Sequence, residues 1–215
     1  MKVVLATSNP GKLAELRDLL PPGAQLVGLL DAGLASPLET GHTFAANALL
    51  KARAAVRAGD VALADDSGLE VDALGGQPGV HSARYAGAPG HDARNNAKLL
   101  EALAERGAPQ RTARFRAVVA LVTRDGTELL AEGTLEGRIV ISPRGTHGFG
   151  YDALFEIADP DVAEFNGRTL AELSVGDKNR VSHRGRAYRA LLRQIVQRNN
   201  SNGDDASLSG WRIHA

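Results

Sequence analysis

Residues 61–71 read Val61-Ala62-Leu63-Ala64-Asp65-Asp66-Ser67-Gly68-Leu69-Glu70-Val71. The apolar run 61–64 predicts a short buried strand, the polar residues 65–68 predict a turn, and the chain becomes extended again at 69–71. Two adjacent carboxylates repel each other unless a cation or hydrogen bonds offset the repulsion, and such hard oxygen ligands suit Mg²⁺ beside a substrate phosphate. The same pattern fits an Asx turn that caps the strand, so both interpretations stay open.

The amino-terminal segment predicts a strand, a polar turn and a helix, in that order. An apolar and β-branched run over 2–6 is followed by the polar residues 7–12, and leucines then recur at helical spacing until Pro21 and Pro22. Free backbone N–H groups and the helix dipole at such a junction attract anions, so 7–12 is a candidate phosphate site. The pattern of a Walker A loop is absent, and an ordinary capped turn is the alternative.

The other predicted elements alternate between strands and helices early in the chain and then form a hairpin. Strands are predicted at 25–30, 115–122, 127–131 and 154–157, helices at 43–58, 92–105 and 183–198, a capping box at 169–172, and the hairpin turn at Asp125-Gly126. This order predicts an α/β protein with a mixed sheet.

Two further stretches carry residues suited to binding a nucleotide. In a chain with only 4% aromatic residues, Gly148-Phe149-Gly150-Tyr151-Asp152 places an aromatic pair between glycines, which suits the stacking of a base. A core pair at a tight bend is the alternative. The stretch 177–185 gathers basic donors before the last helix, where the helix dipole favours anions, and a solvated basic face is the alternative there.

Composition and charge exclude several classes of function. The 215 residues carry 25 Lys and Arg against 25 Asp and Glu, which argues against sequence-independent nucleic-acid binding. The absence of cysteine excludes disulfides, thiolate nucleophiles and cysteine-ligated zinc. The first apolar run is too short for a signal peptide and no run is long enough to span a membrane, so we expect a cytoplasmic enzyme.

Several motifs in one order resemble a single family, the inosine triphosphate pyrophosphatases, also called XTP/dITP diphosphatases. The motifs are Thr7-Ser8-Asn9-Pro10-Gly11-Lys12, Glu39-Thr40-Gly41-x-Thr43-Phe44-x-x-Asn47-Ala48, Lys51-Ala52, Ala64-Asp65-Asp66-Ser67-Gly68-Leu69, Pro78-Gly79-Val80-His81-Ser82-Ala83-Arg84-Tyr85, Gly148-Phe149-Gly150-Tyr151-Asp152 and Ser182-His183-Arg184-Gly185. The resemblance covers about residues 1–197, and the polar tail 198–215 has no counterpart in it.

The resemblance implies a fold, a reaction and a partner. The fold is a long curved mixed β-sheet whose flanking helices form two lobes around a central cleft, in a single domain over 1–197 and usually in a homodimer. The reaction is the Mg²⁺-dependent hydrolysis of ITP, dITP and XTP to the monophosphate and pyrophosphate, which removes deaminated purines from the nucleotide pool. No nucleic acid or membrane is implied as a partner.

The resemblance also implies roles for individual residues. Asp66 is the implied general base and a Mg²⁺ ligand, and Glu39 and Asp65 are further implied ligands. Implied substrate contacts are Thr7, Ser8, Asn9, Pro10, Gly11, Lys12, Lys51, Ser67, Phe149, Gly150, Tyr151, Asp152, Lys178, His183 and Arg184. Of these, 7–12 and Lys51 hold the triphosphate, and Phe149 stacks on the purine.

Three other functions fit parts of the sequence. A non-catalytic nucleotide-binding regulator would use the same phosphate loop, but it has little need for Glu39, Asp65 and Asp66 beside a polyphosphate. A pyrophosphatase specific for dTTP, UTP or modified pyrimidines is disfavoured by Ser182-His183-Arg184. An RNA-binding module is disfavoured by the neutral charge and the scarce aromatic residues.

Overall fold

The computed structural model describes residues 2–7, 25–87, 91–107 and 109–202, with 201–202 described in backbone only. Six strands form one mixed sheet in the order β2-β1-β3-β4-β5-β6. The strands are β1 (Lys2–Leu5), β2 (Gln25–Gly28), β3 (Val61–Val71), β4 (Thr112–Thr123), β5 (Glu128–Ile139) and β6 (Phe155–Ile157). Strand β1 is parallel to both β2 and β3, whereas β5 and β6 are antiparallel. The predicted α/β class with a mixed sheet is therefore confirmed.

Four α-helices accompany the sheet in the described residues, together with several short 3₁₀ turns. The helices are α1 (Phe44–Ala55), α2 (Asp92–Glu105), α3 (Val175–Val181) and α4 (His183–Asn202). Helix α1 begins where its pattern predicts, because the Thr43 hydroxyl accepts a hydrogen bond from the Ala46 N–H at 3.1 Å. In the described part of the chain, every helix is too short or too polar to cross a membrane.

The chain divides into two compact units, each with its own apolar core. The first comprises Met1–Asp66, Ala117–Gly133 and Arg184–Ala215, and the second comprises Ser67–Arg116 and Thr134–His183. In the first unit, alternate residues of β1, β3 and β4 pack with Ala187, Tyr188, Leu191 and Ile195 of α4. In the second, residues of β3, β5 and β6 pack with Leu99 and Leu103 of α2. Apolar residues at strand and helix spacing thus form a separate core in each unit.

The turn predicted at 65–68 is wrong, because β3 continues from Val61 to Val71 without interruption. Considered locally, Asp65 and Asp66 favour a chain reversal, but side chains elsewhere in the fold bind both carboxylates while the backbone is extended. Strand β3 therefore carries both acidic side chains on regular backbone, where each one has a defined direction.

Most other predicted elements are confirmed, with differences at their ends. The helix predicted at 92–105 and the hairpin around Asp125-Gly126 are present, and the capping box at Thr169 and Glu172 starts a short 3₁₀ turn. The last helix continues to Asn202 rather than ending at Arg198, and α3 was not predicted. The turn at 8–12 and the helix predicted after it lie outside the described residues, as does the tail from 203 onward.

Candidate functional site

The two adjacent aspartates of β3 face opposite sides of the sheet, because side chains alternate along a strand. Both are buried, with 1% of Asp65 and 6% of Asp66 exposed. Asp66 contacts helix α1, whereas Asp65 contacts Arg184 at the start of α4. The two carboxylates therefore belong to different environments, although the sequence places them side by side.

Two side chains of α1 hold the Asp66 carboxylate. Asn47 Nδ2 donates to Asp66 Oδ2 at 3.0 Å, and Lys51 Nζ donates to Asp66 Oδ1 at 3.2 Å. Because Asn47 and Lys51 are four residues apart in a helix, they lie on the same face and reach the carboxylate together. Each oxygen of Asp66 thus has its own donor, which fixes the plane of the carboxylate.

Lys51 also binds Glu39 from the loop before α1. Its Nζ lies 2.8 Å from Glu39 Oε1, so one ammonium group links Glu39 to Asp66. Burial disfavours the charged lysine, but the negative charges of Asp66, Asp65 and Glu39 outweigh it and raise the pKa of Lys51. The ammonium group therefore stays charged at neutral pH.

Asn47 connects this cluster to the backbone of the Glu39 loop. Its Oδ1 accepts a hydrogen bond from the Gly41 N–H at 2.8 Å, and Asn47 itself is fully buried. A Cβ at Gly41 would lie only 2.6 Å from Asn47 Oδ1, so glycine is needed for this close approach. Asn47 belongs to one of the family motifs but was not among the predicted site residues; its position one helical turn before Lys51 is the signal that could have identified it.

Asp65 forms a buried ion pair on the other face of β3. Arg184 Nε donates to Asp65 Oδ2 at 3.1 Å, with 3% and 0% of the two side chains exposed. Burial, with a further contribution from the Asp65 charge, raises the pKa of the Tyr188 hydroxyl one turn along α4 well above its usual value. Asp65 is therefore paired with the buried Arg184, whereas Asp66 is held by Asn47 and Lys51.

A second cluster lies in the loop before β6 and in α3. Lys178 Nζ donates to Asp152 Oδ2 at 2.6 Å and also lies 4.5 Å from the centre of the Phe149 ring. Asp152 Oδ2 accepts the Phe149 N–H at 2.8 Å as well. Asp152 and Lys178 are buried, whereas Phe149 is half-buried. Lys178 thus forms an ion pair with Asp152 of the loop and a cation–π contact with the Phe149 ring.

Gly148 is required by this arrangement, which gives a stability prediction. Its φ is +80°, and a Cβ there would lie 2.1 Å from Asp152 Oδ2, whereas Gly150 has φ +62° and open space around it. We expect Gly150→Ala to lower the free energy of unfolding by about 1–2 kcal/mol, through backbone strain alone. We expect Gly148→Ala to lower it by roughly 1–3 kcal/mol more, through the added clash. Denaturant unfolding of both variants checks this difference, and equal losses would contradict the clash.

The other predicted site residues of the second unit have mainly packed surroundings. The buried His183 ring stacks on Phe115, with centroids 4.7 Å apart and planes 9° apart. Tyr151 is in the core, and its hydroxyl donates to the Ser82 carbonyl at 2.9 Å. Burial raises the pKa of that hydroxyl above its usual range. Tyr151 therefore anchors the loop in the core, and its hydroxyl is bonded to the backbone of Ser82.

The remaining predicted residues are at the start of the chain and within β3. Thr7 is half-buried just after β1, and Ser67 is half-buried directly after Asp66. The predicted phosphate-binding residues Ser8, Asn9, Pro10, Gly11 and Lys12 lie outside the described residues. Their predicted role stays a prediction.

The donor set around Lys51 suits a hard divalent cation with few protein ligands. Within the described ranges, no group of three or more His, Cys, Asp or Glu side chains is arranged to hold a metal. Glu39 and Asp66 nevertheless both contact Lys51 Nζ, so their oxygens lie near each other. Mg²⁺ is usually held by one or two carboxylates together with water and substrate phosphates, so this pair fits that ion.

Comparison with known proteins gives three findings. Residues 3–194 match the model of the Ham1 family. The chain is 50% identical over 200 residues to a dITP/XTP pyrophosphatase of Halorhodospira halophila, covering 91% of this chain and 98% of the relative. It is 51% identical over 194 residues to a protein of the same name from Thermus thermophilus, covering 89% and 90% respectively.

Solved structures agree with these sequence relatives. A HAM1 protein from Coxiella burnetii superposes with a TM-score of 0.80 at 39% identity, over 92% of this chain and 99% of that one. The Ham1 protein of Staphylococcus aureus gives 0.78 at 36% identity, over 92% and 98%. The resemblance drawn from the motifs is confirmed by matches over nearly the whole chain, and the protein belongs to the Ham1 family.

Proposed function

We propose that this protein hydrolyses deaminated purine nucleoside triphosphates, namely ITP, dITP and XTP, to the monophosphate and pyrophosphate. The observation that carries the proposal is the cluster in which the buried Lys51 links the half-buried Glu39 to the buried Asp66. Relatives about 50% identical over most of the chain are named dITP/XTP pyrophosphatase, which supports the same substrates here.

Asp66 is the proposed general base. Its carboxylate is fixed by Asn47 and Lys51, so an oxygen can accept the proton of a water molecule that attacks the triphosphate. The new bond joins the water oxygen to phosphorus, and the phosphoanhydride bond between the α and β phosphates breaks. Pyrophosphate leaves with the bonding electron pair. Lys51 is the proposed donor to the phosphate oxygens, on which negative charge develops during the reaction.

Glu39 and Asp66 are the proposed Mg²⁺ ligands, and Asp65 is left out of that set because it pairs with Arg184. A bound Mg²⁺ supplies charge neutralisation at the phosphates and orients them for displacement. The residues 7–12, together with Lys51, are proposed to hold the triphosphate. Removing Lys51 would take the fixed cation away from Glu39 and from the buried Asp66, and a buried carboxylate that loses its cation is strongly unfavourable.

The purine is the proposed ligand of Phe149 and the groups near it. Lys178 contacts the ring and Asp152, so the aromatic face has a fixed orientation for stacking on a base. Lys178, His183 and Arg184 are the proposed donors toward the carbonyl at purine C6, which inosine and xanthosine have and adenosine lacks. Adenine would leave a fixed donor unpaired, which costs more than the bond is worth.

Removal of the metal gives a direct test. We expect rapid pyrophosphate release from ITP with millimolar Mg²⁺, and loss of that release by at least two orders of magnitude with excess EDTA, because the phosphate charge is then left unneutralised. A coupled pyrophosphate assay measures both rates, and re-addition of Mg²⁺ should restore the first. A rate that EDTA does not change would remove the metal from the proposal.

A further inference from the structure

The backbone on either side of the Phe149–Gly150 peptide bond is held at every polar group. The Phe149 N–H donates to Asp152 Oδ2 at 2.8 Å, and the Phe149 carbonyl accepts the Asp152 N–H at 3.2 Å. The Gly150 N–H donates to Asp92 Oδ2 at 2.6 Å, and Asn96 Nδ2 donates to the Gly150 carbonyl at 3.1 Å. Half of these contacts come from the loop itself and half from helix α2.

The helical contacts are well placed to limit movement of the loop. Asp92 and Asn96 are four residues apart, so one face of α2 presents an acceptor and then a donor to a single glycine. The same helix buries Asn95, Leu99 and Leu103 almost completely in the second unit. The two side chains therefore tie the loop to an element that is anchored in the core.

We propose that Asp92 and Asn96 are positioning residues that fix the Phe149 ring for stacking on the purine. The proposal rests on the proposed function, in which Phe149 binds the base. Gly150 adopts a left-handed φ of +62° and has no side chain, so the chain at this point depends on outside contacts for its direction. Loosening Gly150 should let the ring leave its stacking position without disturbing the residues proposed to hold the triphosphate.

If Asp92 and Asn96 served only to stabilise α2, their loss would lower stability rather than weaken binding of the base. Three variants distinguish this structural role from the positioning role. Asn96→Leu removes the donor without adding charge and places a better helix former in α2. Asp92→Ala removes the acceptor, while Asp92→Asn keeps an oxygen acceptor but loses the negative charge that stabilises a helix start. If Asp92 only stabilises the helix, losses in the variants should depend on whether the negative charge at position 92 is kept. If the two residues position the loop, losses should depend on whether the hydrogen bonds to Gly150 are kept.

The experiment measures kcat and KM for ITP, the inhibition constant of inorganic triphosphate, which has no base, and the thermal midpoint of each variant. We expect Asn96→Leu and Asp92→Ala to raise KM for ITP about three- to tenfold, the equivalent of one lost hydrogen bond. The inhibition constant of triphosphate should stay at the parent value in these variants. The thermal midpoint of Asn96→Leu should not fall. Asp92→Asn should restore KM to within about twofold of the parent value, while its thermal midpoint stays below that of the parent because the charge at the helix start is lost.

Phe149→Ala, measured in parallel, separates failure of this proposal from failure of the proposed function. If Phe149→Ala raises KM for ITP but Asn96→Leu does not, the positioning role is overturned and base stacking stands. If Phe149→Ala leaves KM unchanged, stacking itself is wrong and the positioning role falls with it. Equal weakening of ITP and triphosphate binding in Asn96→Leu would also overturn the proposal, because the effect would not depend on the base.

Discussion

Asp66→Asn should keep the fold and lose turnover of ITP by about 10²–10⁴-fold, the usual contribution of a general base. An amide has nearly the same size as the carboxylate, and its oxygen can still accept one of the hydrogen bonds from α1. It cannot accept the proton of the attacking water at neutral pH. The measurement is kcat for ITP at saturating Mg²⁺, with circular dichroism to show that the fold is retained.

A matched control for this variant is Asp31→Asn, which changes an exposed carboxylate in the same compact unit. Because Asp31 takes no part in the proposed site, the control should turn over ITP at the parent rate. A folded Asp66→Asn protein with near-normal kcat would remove Asp66 from the base role, and the cluster around Lys51 would then need another function.

Selectivity between purines is the second large effect. We expect kcat/KM for ITP to exceed that for ATP by as much as ~10⁴-fold, because a site that donates to a C6 carbonyl leaves its donor unpaired against the adenine amino group. The measurement is a set of progress curves for ITP, XTP and ATP at equal Mg²⁺ and equal enzyme. All three share the same triphosphate, so the difference reports on the base alone.

Substitution of the base-binding lysine provides the control for selectivity. Lys178→Met should reduce kcat/KM for ITP far more than for ATP, since it removes a proposed donor that adenine does not use. Equal kcat/KM values for ITP and ATP in the parent protein would contradict recognition at purine C6, whatever the effect of the substitution.

The sequence predicted the class of fold and the main elements because apolar spacing along the chain determines both. The error at 65–68 has a clear cause: adjacent aspartates favour a turn when considered locally, but distant partners stabilise them in a strand. Asp65 is held by Arg184, which is 119 residues away in sequence, and no local pattern shows that contact. The direction in which each aspartate points follows only from the continuous strand.

Residues that act by holding other residues were the hardest to predict. Asn47, Asp92 and Asn96 have ordinary helical positions in the sequence, and their importance comes from contacts with Asp66 or Gly150. Glu39 and Lys51, in contrast, were predicted site residues, and the structure places them together. Side chains that can act as acids, bases or ligands can be recognised in the sequence. The residues that hold them in place can be recognised only from their contacts in the folded protein.

The products formed from ITP test the central claim most directly. Incubation of the parent protein with ITP and Mg²⁺, followed by anion-exchange separation, should give one inosine monophosphate and one pyrophosphate for each ITP consumed. That result requires cleavage between the α and β phosphates. Formation of the diphosphate and orthophosphate, or tight ITP binding with no products at all, would contradict it.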